Sequence, residues 1–232
     1  MIENRNERVV HTLNRRQPDL TVIMENVHKP HNLSAIARTC DGIGVGHIHA
    51  VVPEGSLRLG GKAASGTQKW VKASYSRDTE TTVRSLQHDG FTVYAADISD
   101  KAIDYREIDY TKPSAILVGS ELVGVSAEAA NLADHVMTVP LYGMVESLNV
   151  SVATAIVLYE AARQREAVGM YSKCRIPDGE FDKLRFEWLH PAVAKHCQKH
   201  KLPYPSLDDD GFIVDAISGN ERKGYAAAVA ND

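Results

Sequence analysis

The run LYGMVESLNVSVATAIVLYEAARQR, residues 141–165, decides how the chain is read. Ser147, Asn149 and Ser151 are residue types that cap helix N-termini, because their side chains accept hydrogen bonds from the unpaired N–H groups of a first turn. A helix is therefore predicted to start here, with Ser147 and Asn149 read as caps. Behind them Leu148, Val152, Ile156 and Tyr159 recur on one face, while Val150, Ala153, Val157 and Ala161 fill much of the other. A helix apolar nearly all round belongs in an interior, and this one is too short and too polar at Arg163 and Arg165 to cross a bilayer. The prediction is a buried core helix entered from a polar, glycine-containing loop.

Working outward, the stretches before it alternate. LTVIMENV (20–27) is apolar and β-branched enough for a buried strand, and NLSAIARTCDGIG follows as a helix with Asn32 as its predicted cap. VGHIHAVVP (45–53) makes a second strand. Residues 55–68, with Gly60 and Gly61, read as loop with a short helix, and TETTVRSLQHDG (79–90) as a helix closed by Gly90. Strands follow at 91–99 and 114–120, then the helix VSAEAANLA, then a strand at 135–141 that leads into the opening run. This alternation predicts an α/β fold: a mostly parallel sheet with helices on both faces.

The ends read differently. Residues 1–19 are predicted as a basic N-terminal helix, stopped before Pro18, and 20–169 as the α/β domain. Residues 170–232 read as a helical extension, interrupted at Pro191 and anchored by Phe181, Leu184, Trp188 and Leu189, and as an acidic tail.

Composition is that of an ordinary globular chain, 44% hydrophobic and 24% charged. No apolar N-terminal region of export type and no run of eighteen apolar residues occurs, so neither export nor membrane insertion is expected. Cys40, Cys174 and Cys197 are odd in number and widely spaced, which fits reduced thiols in a cytoplasm. The net charge of −4 resides in residues 203–232, where six acids face Arg222 and Lys223. The remaining chain balances 24 basic against 24 acidic residues and gathers Arg5, Arg8, Arg15, Arg16, Lys29 and Arg38 near its start. Arg163, Arg165, Lys173 and Arg175 form a second basic region, readable as solvated surface or as a nucleic-acid contact.

In parallel sheets ligands bind beyond the carboxyl ends of strands. Three loops leaving such ends carry glycine or proline with polar groups: around Ala96 and Asp97, from Gly119 to Gly124, and from Val139 to Asn149. The run GIGVG (42–46) is not G-x-G-x-x-G and follows a helix, so it carries no dinucleotide reading. His28 and His31 flank Pro30 without a third ligand nearby, and no metal site is expected.

With those residues in view, HNLSAIART with Asn32 and Arg38, LVGSELVG with Gly119, Glu121 and Gly124, and VPLYGMVESLNVSVATA with Pro140, Ser147, Leu148 and Asn149 resemble, in order and spacing, the three motifs of the SPOUT RNA methyltransferases. The runs RRQPDLTVIMENVHKPHNLSAI and DYREIDYTKPSAILVG resemble the TrmH family within them. The resemblance spans about residues 5–175. It implies a deep trefoil knot at about 115–165, a homodimer whose active site draws on both subunits, and S-adenosylmethionine as cofactor. By position it places Ala96, Gly119, Val139, Leu141 and Leu148 at the cofactor and Asn32, Arg38, Glu121, Ser147 and Asn149 at catalytic positions.

The activity the resemblance implies is 2′-O-methylation of guanosine 18 in the tRNA D-loop, with Arg8, Arg15, Arg16, Arg163, Arg165 and Lys173 expected on RNA phosphates. A guanidinium ordinarily stays protonated at physiological pH, so Arg38 is expected to orient a phosphate or the hydroxyl and stabilise alkoxide charge, and to act as a base only if strongly perturbed. Glu146 stands where the resemblance leads us to expect Gln. The alternatives are a ribosomal RNA 2′-O-methyltransferase, which tends to carry an extra RNA-binding domain ahead of the knot, and a knotted RNA-binding protein without catalysis.

Overall fold

The computed structural model describes residues 4–52, 69–99, 101–120 and 122–214. Glu121, the loop 55–68 and the end of the acidic tail lie outside the described residues. The chain divides into two compact units, Arg16–Lys173 and Met1–Arg15 with Cys174–Asp232.

The larger unit is an α/β sheet. Its strands are β1 (Leu20–Glu25), β2 (His47–Val51), β3 (Lys72–Ser76), β4 (Thr92–Ala96), β5 (Ile103–Asp104), β6 (Ser114–Val118) and β7 (His135–Thr138). They stand in the order β3-β2-β1-β6-β4-β7-β5, every ladder parallel. The five predicted strands are present with trimmed ends. β3 and β5 were not predicted.

All residues of β1 and β6 are buried, as central parallel strands covered on both faces should be. Alternation sorts them. Val22, Met24, Ile116 and Val118 face a core completed by Leu33, Ile36 and Cys40 of α2 (Pro30–Gly42) and by Val157, Leu158 and Ala161 of α5 (Val150–Ala167). Ile23, Ala115 and Leu117 face the other side, where Val83 and Leu86 of α3 (Thr79–His88) and Ala129 of α4 (Ala127–Leu132) complete it. Gly90 adopts φ +87°, the left-handed backbone that closes α3 as expected.

Two helix readings are corrected. The N-cap of α2 is Lys29, with Pro30 at the first turn, where its missing N–H is no loss; Asn32 lies inside the helix, its side chain buried. And α5 is not buried all round: Val150, Thr154, Val157, Leu158, Ala161 and Arg165 form its buried stripe, whereas Val152 and Tyr159 are 47% and 61% exposed. Its apolar circumference serves one core face and one open face.

In the smaller unit α1 (Arg5–Leu13) begins at a capping box between Asn4 and Glu7 and packs on α6 (Asp178–Leu189), which packs on α7 (Pro191–His200). The helix break falls at Pro191 as predicted, but the buried anchors of α6 are Phe186 and Trp188; Phe181, Leu184 and Leu189 are half-buried. Among the described residues no helix is long and apolar enough to cross a membrane.

Candidate active site

The sheet reverses its direction of build at β1, β6 and β4, because β6 inserts between β1 and β4. At the carboxyl ends of β4, β6 and β7 a cleft of about 470 Å³ opens. The three loops singled out from sequence line it together, contributing Ala96 and Asp97, then Gly119, Ser120 and Leu122 to Gly124, and then Val139, Leu141 and Glu146 to Leu148. All five residues expected at a cofactor, Ala96, Gly119, Val139, Leu141 and Leu148, lie on its wall, and so does Ser147.

The wall at Gly119 is backbone against backbone. A Cβ there would stand 1.9 Å from the Gly124 carbonyl oxygen, far inside any tolerated contact. The loop folds back on itself: Gly124 N–H donates to Ser120 O at 2.9 Å, and Gly124 sits at φ +72°. Its far end is held by Glu25 at the tip of β1. Ser126 donates its N–H to Glu25 Oε2 (2.8 Å) and its hydroxyl to Oε1 (2.9 Å), and Thr79 donates to Oε1 (3.0 Å). Glu25 was missed in the sequence. The signal was there, an acid ending an otherwise apolar buried strand.

The opposite wall is the segment before α5. Ser147 is exposed and lies outside the helix; Asn149 is the cap, its Oδ1 accepting from Ser151 N–H (2.9 Å) and Ser151 Oγ (2.6 Å). The Asn149 amide also donates to Asn32 Oδ1 at 3.2 Å, so two of the expected catalytic positions meet. Arg38 is exposed on α2 and is not part of the cleft lining, and its side chain makes no hydrogen bond or ion pair among the described residues. Glu121 belongs to the undescribed residues. Beside the cleft Tyr142 and Met144 are 90% and 99% exposed.

Of the basic residues expected on RNA, Arg8, Arg15 and Lys173 are exposed. Arg163 is exposed too, but binds Glu160 through two bonds of 2.7 and 2.8 Å. Arg165 and Arg16 are corrected. Arg165 is fully buried: Nε donates to Tyr110 O, Nη1 to Asp19 Oδ1 and Gln17 Oε1, and Nη2 to Asp19 O and Lys112 O, at 2.6–3.1 Å. Arg16, equally buried, donates to Asp41 Oδ1 (2.8 Å), Trp70 O (3.0 Å) and Val45 O (3.2 Å). Both tie loops together inside the unit and present nothing to a phosphate. Burial pushes the Cys40 thiol up to about 12, which makes it a packing group and not a nucleophile. Among the described residues no group of three or more metal-ligating side chains converges.

The SpoU rRNA Methylase family matches residues 19–159, which enclose every wall of the cleft. The chain belongs to the SpoU methylase family of SPOUT methyltransferases. A second SpoU match, to the C-terminal part of rRNA methylases, covers residues 163–216. One SpoU-family relative, the tRNA (guanosine(18)-2′-O)-methyltransferase of Escherichia coli K12, is 46% identical over 215 residues, 92% of this chain and 94% of its own length. Among solved structures, the Aquifex aeolicus TrmH/SpoU tRNA modifying enzyme superposes with a TM-score of 0.75 at 41% identity, covering 79% of this chain and 94% of that one. An AdoMet-bound rRNA methyltransferase from Sinorhizobium meliloti, 29% identical, gives 0.57 and covers 66% of this chain and 59% of that one. SpoU membership thus agrees with the motif resemblance on residues 32–38, 119–124 and 140–149.

Proposed function

We propose that this chain methylates the ribose 2′-hydroxyl of guanosine 18 in the tRNA D-loop, using S-adenosylmethionine. The observation that carries this reading is one cleft that gathers Ala96, Gly119, Val139, Leu141, Ser147 and Leu148 in a chain 46% identical, over nearly its whole length, to an enzyme of that name.

The cleft's chemistry fits the cofactor. Val118, Met137, Val139, Leu141 and Leu148 offer apolar surface for a nucleoside, and the tight Gly119–Gly124 turn offers backbone groups instead of side chains. When bound, S-adenosylmethionine supplies an electrophilic methyl group. The residues have to align the ribose hydroxyl with it, and such alignment contributes up to about 7–11 kcal/mol. Ser147 lines the cleft, Asn149 lies two residues on and is steadied by Asn32, and Arg38 and Glu121 complete the proposed constellation. Arg38 stabilises charge on the ribose oxygen and orients the RNA; Arg8, Arg15 and Lys173 hold phosphates, with Arg163 shared with Glu160.

A homodimer completes this reading. Val152 and Tyr159 on α5, and Tyr142 and Met144 beside the cleft, are exposed apolar side chains that a second copy would cover. Arg38 stands off the cleft of its own protomer, which favours a site drawing on both copies. The passage of residues 115–165 as a trefoil knot, residues 1–19 as a tRNA-binding helix ahead of a 20–169 methyltransferase domain, and a cytoplasmic location belong to the same proposal.

The test is transfer of labelled methyl from S-adenosylmethionine to unmodified tRNA transcripts, comparing guanosine 18 with its 2′-deoxy analogue and including ribosomal RNA. Label on tRNA that vanishes with the deoxy substitution is expected. Label confined to ribosomal RNA would replace the substrate.

A further inference from the structure

The described residues lining the cleft include two acids, Asp97 and Glu146, and no Lys, Arg or His. Asp97 follows β4 and is fixed in place. Its N–H donates to Met137 O at 3.0 Å, its Oδ1 accepts from Ile98 N–H at 2.8 Å, and that oxygen lies 3.7 Å from where a Cβ on Gly124 would be. Glu146 lines the cleft from the segment after β7, next to Ser147, and its side chain makes no hydrogen bond or ion pair among the described residues. The guanidinium that reaches Tyr142 of the same loop, Arg106, is already matched by Asp104 through bonds of 2.9 and 2.5 Å. Two carboxylates thus line one cleft, with no cation among its described lining residues to offset them.

We propose that Asp97 and Glu146 make the cleft select the cationic cofactor over its neutral demethylated product, so that methyl transfer itself loosens the cleft's hold. The inference rests on S-adenosylmethionine being the cofactor. In the transfer the ribose oxygen gains the methyl carbon, the sulfur keeps the electron pair of the broken S–C bond, and the hydroxyl proton passes to solvent water. Sulfonium becomes thioether, and the occupant's charge falls by one. A charge facing two carboxylates in a partly solvated cleft is worth a modest Coulombic preference, on the order of tenfold in affinity for the pair and about threefold for each acid, and salt weakens it. Glu146 stands where the family resemblance leads us to expect Gln.

The experiment is calorimetric titration of the full chain, without RNA, with S-adenosylmethionine, S-adenosylhomocysteine and an analogue carrying an amine in place of the sulfonium. Each is measured at low and high salt, in the wild type and in Glu146→Gln and Asp97→Asn. Both cationic ligands should bind about tenfold more tightly than the neutral one at low salt, the gap should narrow with salt, and each variant should shrink it about threefold. Equal or tighter binding of the neutral ligand to the wild type, with a salt-independent ratio, would overturn the inference and leave the cofactor reading standing. Variants that bind but leave the ratio unchanged would overturn it as well. Failure of all three ligands to bind the wild type would overturn the cofactor reading together with the inference.

Discussion

Asn149 donates its side-chain amide to Asn32 Oδ1 at 3.2 Å, joining the first turns of α5 and α2 across 117 residues of chain. The same side chain caps α5 through Ser151. Two roles in one residue can be separated. Asn149→Ser keeps a capping oxygen and is expected to melt within about 0.5 kcal/mol of the wild type, whereas Asn149→Ala should lose about 1 kcal/mol. Both should lose methyl transfer more than tenfold, since neither can hold Asn32. If Asn149→Ser is fully active, Asn149 is a helix cap and leaves the proposed constellation.

Gly119→Ala places a methyl group on the Gly124 carbonyl, whereas Gly143→Ala meets no atom within 4 Å. The first should destabilise by roughly 1–3 kcal/mol, as overpacked sites do, and weaken cofactor binding at least tenfold. The second should change stability little. Thermal melting with cofactor titration reads both, and equal behaviour of the two variants would refute the backbone account of that wall.

Arg165→Met removes a buried guanidinium that binds Asp19, and breaking such a pair from one side typically costs about 3–5 kcal/mol. Arg163→Ala breaks an exposed pair with Glu160, where about 1 kcal/mol is the ceiling. Denaturant unfolding at neutral pH should rank them in that order.

Arg8→Ala and Arg15→Ala change exposed residues of the smaller unit. Each should leave the melting temperature unchanged, weaken tRNA binding, and reduce the slope of log affinity against log salt by roughly one. Unchanged salt slopes in both would remove the N-terminal segment 1–19 from the RNA contact.

His49 shares the sheet with His47, ring centroids 4.5 Å apart, and burial, then His47 and Lys72, hold its pKa down to about 4. The unfolded chain therefore takes up the proton first, near pH 6.5, and stability falls as pH drops from about 6.5 to about 4. After discounting for partial exposure the loss is about 1–2 kcal/mol. His49→Gln should show a shallower decline of melting temperature over that window, and parallel curves would contradict the assignment.

How far the chain could be read depended on whether a signal was local. The apolar run of β1 and the glycine that closes α3 carry their reasons within a few residues, and the strand-end loops that line the cleft follow from the α/β alternation. β3, KASYS, has no apolar run to announce it; its place comes from pairing with β2. Arg165 looked like a solvated base in a last helical turn because its partners, Asp19, Tyr110 and Lys112, lie 53–146 residues away. Pro30 was a legible start signal that the asparagine two residues later obscured.

Helix α5 is clamped at both ends, by Asn149 on Asn32 at its start and by Arg165 on Asp19, Tyr110 and Lys112 at its finish. A rod fixed at two points cannot slide or tilt to admit a ligand. Whatever opening and closing the cleft undergoes is therefore left to the three loops that follow β4, β6 and β7, while the helix serves as the fixed jaw of a vice.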